Sequence, residues 1–222
     1  RQRINVKVGM PEDKCNFYKN YERKDENIDI KKAWMKNLED LNVCSQKGLV
    51  EKFDATIGSS TVLMPFGGKY QATPSEGLLM KLPVLTGNTT TGTVMTYGYN
   101  PYLSSWSPFH GALYAVVHAV SKVVVMGGDY RKIRLTLQEY FEKLGKDEKK
   151  WGKPFSALLG AYLVQSQLGI PAIGGKDSMS GTFLDLNVPP TLAAFALAPM
   201  DVTKAVSQEF KAAGSQIILL PV

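Results

Sequence analysis

The chain has 222 residues, a formal net charge of +6, 44% hydrophobic residues and 21% charged residues. That length holds one large or two small domains with a sizeable core, and the composition excludes a disordered, fibrous or disulfide-stapled chain. No apolar run approaches the roughly 20 residues that cross a bilayer, and no signal-peptide pattern opens the chain, so the expectation is a cytoplasmic protein without a membrane partner.

Only Cys15 and Cys44 are present. They imply no disulfide framework, and neither stands in a zinc spacing with His110 or His118. Basic residues cluster weakly at Lys31-Lys32, Arg131-Lys132-Arg134 and Lys146–Lys153, with acids breaking each run. Nucleic-acid readers show a continuous basic stripe, so no nucleic-acid partner is expected. The charge reads as a solvated surface, with a phosphorylated small molecule as its more specific use. The first residue is Arg1, and the expectation is a fragment or processed chain.

In chain order, residues 1–29 read as a polar connector with one strand at Ile4–Val8. Ile28–Leu41 carries Ile30, Trp34, Leu38 and Leu41 at helical spacing, with Asp29 as the cap. A strand and turn are expected at Asp54–Gly58, then strands at Thr61–Phe66, Gly77–Leu85 and Thr93–Tyr97. Gly98–Ser107 reads as a loop. Ser107-Pro108 starts a helix with Leu113, Val116, Val117, Val120 and Val124 on one face, ended by Gly127-Gly128.

Lys132–Phe141 alternates as a half-buried strand. Lys143–Lys153 reads as a charged loop. Phe155, Leu158, Leu159, Tyr162 and Leu163 define a second amphipathic helix ending near Gly169. Thr191–Met200 is an apolar strand, and Gln216–Val222 a final one. The fold class is α+β (mixed α/β), a sheet with helices on one face.

The chain is organised around Gly169–Phe183, GIPAIGGKDSMSGTF. An apolar run ends in Gly174-Gly175, followed by Lys176, Asp177, Ser178 and Ser180. Paired glycines permit a sharp turn and close backbone approach, and a lysine with two hydroxyls supplies a cation and donors. One reading is a phosphate pocket at a strand end; the other is a polar turn between strands. The spacing is not that of a Walker P-loop, which argues against an unrelated small-molecule kinase.

GIPAIGGKDSMSGTF closely resembles the signature of phosphoribosylformylglycinamidine synthase. VEKFDATIGSSTVLMPFGG, the stretch Tyr99–Gly145 and the stretch Trp151–Phe183 follow the same order as an amino-terminal-type domain of that family. The resemblance covers about residues 30 to 200, with 1–29 as linker and 201–222 as the start of a connection to a further domain. It implies the first domain of the second aminoimidazole-ribonucleotide-synthetase-like copy. It also implies a sheet that pairs into a barrel on dimerisation.

The implied activity is a ligase reaction of purine biosynthesis. ATP and magnesium activate formylglycinamide ribonucleotide, and ammonia from a glutaminase domain displaces the phosphate. The resemblance places ATP on Gly175, with Gly174 beside it, and substrate on Ser178, with Ser180 beside it. Where smaller relatives carry a magnesium-binding asparagine this chain has Lys176, which cannot ligate the ion and is expected to contact phosphate on the ATP side. The resemblance leaves Asp177 as a magnesium ligand or a partner for Lys176. No catalytic residue is assigned, and the chain alone is expected to be inactive. An auxiliary nucleotide–metal site of some relatives would fall on Thr86, Lys122 and Met126, which are poor magnesium ligands; there Lys122 is expected to fill the volume with its own charge. The alternative is an oligomerisation module with a vestigial nucleotide site, and a homodimer is expected either way.

Overall fold

The computed structural model describes residues 3–13, 15, 27–52 and 60–219. The strand expected at Asp54–Gly58 lies outside them, as does the end of the strand expected at Gln216–Val222. Helix α1 spans Ile30–Glu39, and Asp29 caps it by accepting from the Lys32 N–H at 3.1 Å. None of its residues is buried, so its apolar positions Ile30, Trp34 and Leu38 face outward.

The main sheet has six strands: β1 (Thr61–Leu63), β2 (Gly77–Lys81), β3 (Thr91–Gly98), β4 (Arg134–Tyr140), β5 (Ala172–Lys176) and β6 (Thr191–Asp201). Their spatial order is β1-β2-β3-β6-β4-β5. All neighbours are antiparallel except β4 and β5, which run parallel. The sheet is open, with β1 and β5 at its edges. No regular strand forms at Ile4–Val8 or along 215–219. Instead the Lys7 N–H donates to the Glu148 carbonyl at 3.0 Å, which ties the N-terminal segment to a helix start.

The segment expected as a loop at Gly98–Ser107 contains helix α2, Pro101–Trp106. Asn100 caps it through the Tyr102 and Leu103 N–H groups, with Pro101 in the first turn. That is the same cap-then-proline signal as Ser107-Pro108, which opens α3, Pro108–Val125. By length and composition α3 is apolar enough to cross a membrane, contrary to the reading of the sequence. Here its inner face is part of the protein core.

Helix α4 spans Glu148–Leu168 and begins inside the stretch read as a charged loop. Asp147 caps it through the Lys149 and Lys150 N–H groups, and Gly169 closes it in the left-handed conformation at φ 65°.

The buried face of α4 is the reverse of the one expected. Phe155, Leu158, Leu159, Tyr162 and Leu163 are exposed, whereas Gly152, Ser156, Ala157, Gly160, Ala161 and Val164 are buried. Small residues win because they let the backbones close up. A Cβ on Gly160 would stand 2.0 Å from the Phe109 carbonyl oxygen of α3. On α3 the buried residues likewise include Gly111, Ala112, Ala115 and Ala119, while Val117 and Val124 stay exposed.

Sheet and helices meet the same way. On β6 the inward positions are Leu192, Ala194, Ala196, Ala198 and Met200, all buried. A Cβ on Gly98 of β3 would lie 2.1 Å from the Ala115 carbonyl oxygen. The opposite face of the sheet carries Leu78, Met95, Tyr97 and Leu197, all exposed. Met95 is in register with both Leu78 and Leu197. The fold is mixed α/β as expected, and no closed barrel forms.

Candidate functional site

Strand β5 leaves the end of α4 through Gly169 and Pro171 and pairs with β4 in parallel. The register shifts between Ala172, opposite Leu135, and Gly174, opposite Thr136. Ile173 is therefore extra, a bulge of the kind that re-aims a strand beside functional sites. Gly174 follows at φ +153°, a conformation that side-chain-bearing residues rarely adopt, with open space where a Cβ would be.

The sequence suggests that Gly174-Gly175 end the strand in a turn. Instead β5 continues through both glycines to Lys176. Gly175 sits opposite Leu137, and a Cβ there would lie 2.0 Å from the Leu137 carbonyl oxygen. Close strand packing, not a turn, demands that glycine. Because β5 is an edge, it also presents backbone polar groups outward.

Beyond Lys176 the chain leaves the strand but stays tethered to β4. The Ser178 N–H donates to the Glu139 carbonyl at 3.1 Å, and the Phe141 N–H donates to the Ser178 carbonyl at 2.8 Å. The hydroxyls of Ser178 and Ser180 are 2.9 Å apart.

A cleft of about 380 Å³ opens between this edge and α4. Gly174, Gly175, Lys176 and Asp177 line one side, and Leu137, Glu139, Ala172 and Leu158 the rest. So four of the expected site residues share one cleft. Ser180 faces a different groove of about 280 Å³, with Tyr140, Thr182, Phe183 and Asn187. Lys176 and Asp177 are exposed, and among the described residues Lys176 makes no ion pair with Asp177 or Glu139.

Glu139 is the residue that sequence reasoning missed. It is 5% exposed, and its Oε1 is sealed from solvent with no hydrogen-bond partner among the described residues. Burial, and then the negative charge of Asp177, push its carboxyl up to about 7. The signal was present in the alternation of β4: Leu135 and Leu137 face inward, so Glu139, two residues on, does too.

The histidines and the auxiliary positions lie elsewhere. His110 Nδ1 is 2.8 Å from the Ser107 hydroxyl at the cap of α3, and its ring packs on Trp106 with centroids 4.9 Å apart. His118 is held below its ordinary range by burial and then by Lys122. The Lys122 side chain is 11% exposed, pairs with Glu76 at 2.9 Å and lies over the Tyr97 ring. Met126 is fully buried in the core, and Thr86 is an exposed loop residue. Among the described residues no group of three or more His, Cys, Asp or Glu gathers to hold a metal.

An open, mostly antiparallel sheet with helices on one face, whose parallel edge strand ends at a cleft, defines a mixed α/β domain with a candidate ligand cleft. Comparison with known proteins narrows the class. The chain is PurL-like: it is similar to PurL subunits of phosphoribosylformylglycinamidine synthase. The Pyrobaculum calidifontis subunit is 30% identical over 175 residues, covering 77% of this chain and 23% of the relative. The Thermoplasma acidophilum subunit is 23% identical over 191 residues, with 81% and 23% covered. The chain thus spans about a quarter of the length of the curated relatives it matches. The structure of PurLQS from Thermotoga maritima superimposes with a TM-score of 0.60 at 19% identity, covering 75% of this chain and 25% of that one, which shows the shared fold. No family model matches the chain.

Proposed function

We propose that this chain is a nucleotide- and substrate-binding domain of a phosphoribosylformylglycinamidine synthase, a C–N ligase of purine biosynthesis. The carrying observation is the cleft that gathers Gly174, Gly175, Lys176 and Asp177 at the end of β5. Two relatives in structure are Thermotoga maritima PurL complexed with ATP and with FGAR, consistent with these ligands. Here ATP would take the Gly174–Lys176 side, with Lys176 against phosphate, while Ser178 and Ser180 would meet the substrate. The residues fit such a ligand: the lysine is exposed and makes no ion pair among the described residues, and the space at Gly174 is open.

Magnesium would be held by Asp177, since that ion takes one or two carboxylates and completes its shell with water and phosphate. Bound there it would neutralise developing phosphate charge. Lys122, paired with Glu76 and lying over the Tyr97 ring, would occupy the volume of an auxiliary nucleotide–metal site.

Synthesis requires the remaining domains, the glutaminase among them, so binding rather than turnover is the property to measure on these 222 residues. The exposed apolar face around Met95 and Tyr97 supports a homodimer paired through the sheets. Calorimetric titration of ATP with magnesium tests the ligand reading. Binding should be saturable and weaken roughly tenfold to a hundredfold in Lys176→Ala, the loss of one charge-assisted hydrogen bond. Equal binding by both proteins would reduce the stretch to a polar turn and favour the oligomerisation module.

A further inference from the structure

We propose that Glu139 is the second carboxylate of a divalent-cation seat, acting with Asp177 across the cleft at the end of β5. This deepens the nucleotide-binding reading and rests on it for the ligand that completes the seat. Asp177 is exposed at the mouth, and Glu139 stands in the same cleft on the neighbouring strand. Glu139 is 5% exposed, and among the described residues its Oε1 meets no donor. A carboxyl in such a position is expensive to keep as an anion without a compensating partner.

The nearby cation does not supply that partner. Lys176 points its charge to neither acid among the described residues, although it lines the same cleft. Glu142, three residues along, shows what a satisfied carboxylate looks like in this chain: it pairs with Lys150 at 2.8 Å and with Lys153. Glu139 lacks any such arrangement and faces a cleft with a second acid instead.

Two carboxylates are too few for a closed metal cage, and the rest of the lining is apolar side chains, glycine and Lys176. That suits a hard cation which keeps several waters and shares phosphate oxygens with its ligand. Glycine at 174 leaves the adjoining space free for that phosphate. The seat is thus half built by the protein, and its affinity for the bare ion should be modest.

The test uses Mn²⁺ alone as probe, with free ion counted by electron paramagnetic resonance at about pH 8, where ordinary carboxylates are ionised. The proteins are the 222-residue chain, Glu139→Gln, Asp177→Asn and, as a charge control, Glu148→Gln, an exposed position in the first turn of α4. One saturable site is expected in the wild type and in Glu148→Gln, weakened at least about tenfold in each of the other two. Absence of saturable binding, or wild-type affinity in Glu139→Gln, overturns the proposal. Should Glu139→Gln fail to fold, Asp177→Asn decides alone, because that side chain is exposed; wild-type affinity there also overturns it. ATP binding that depends on Lys176 without any Mn²⁺ site would sink the cation seat and spare the nucleotide reading. A Mn²⁺ site lost in both carboxylate variants, with no ATP binding, supports the seat and removes the nucleotide.

Discussion

Glu139→Gln should stabilise the ligand-free chain at alkaline pH and do little in acid. A carboxyl that ordinarily titrates near 4.5 is held at about 7 by burial and by Asp177. Between those two values the folded chain holds a proton that the unfolded chain has released. Stability therefore falls as pH rises through this window, and the full penalty is present above 7. At 1.36 kcal/mol per pH unit the ceiling is about 3 kcal/mol, and water reaching the cleft lowers it to roughly 1–3 kcal/mol. Glutamine keeps the volume and removes the charge. For a chain of this size that amounts to a rise in Tm of about 3–10 °C. Thermal unfolding followed by circular dichroism, in EDTA, at about pH 5 and about pH 8 reads the effect. The gap between variant and wild type should open at the higher pH. A gap of the same size at both values would show that Glu139 is not held protonated by its surroundings, and the argument from burial would fail.

Two further outcomes bear on the packing and the surface. Gly160→Ala puts a methyl group 2.0 Å from the Phe109 carbonyl oxygen, so α3 and α4 must separate, at about 1–3 kcal/mol; Gly48→Ala, with open space around it, is the control, and equal urea midpoints for the two variants would contradict the close helix contact. The open sheet face should make the chain a dimer at micromolar concentration by light scattering coupled to size exclusion, and Met95→Asp should return it to a monomer; a wild-type monomer would show that the face needs no partner.

Element positions were largely legible in the sequence because their signals are local. Asp29, Ser107 and Gly169 announce helix ends through their own backbone and side-chain chemistry, and each does so in the structure. Strand β4 follows from alternation and β6 from a continuous apolar run, both properties of neighbours along the chain. Asn100-Pro101 and Asp147 carried the same kind of signal for α2 and the start of α4, and the surrounding polar residues hid it.

The sequence by itself determined the mixed α/β class and the stretch 169–183 as the place to look, and its likeness to PurL subunits. It did so because glycine, lysine and acid in that spacing are chemistry that survives without coordinates. Which face of α4 is buried was decided only by the tertiary structure. Amphipathic counting favours large apolar residues, but Gly160 and Ala161 are buried because α3 approaches to backbone contact, a fact about two helices far apart in sequence. The same holds for the site. Gly175 lies in a strand because β4 runs beside it, and Glu139 joins Asp177 only because parallel pairing brings residues 139 and 177 to one cleft. Contacts between distant segments carry no periodicity within either one, so only the folded chain shows them.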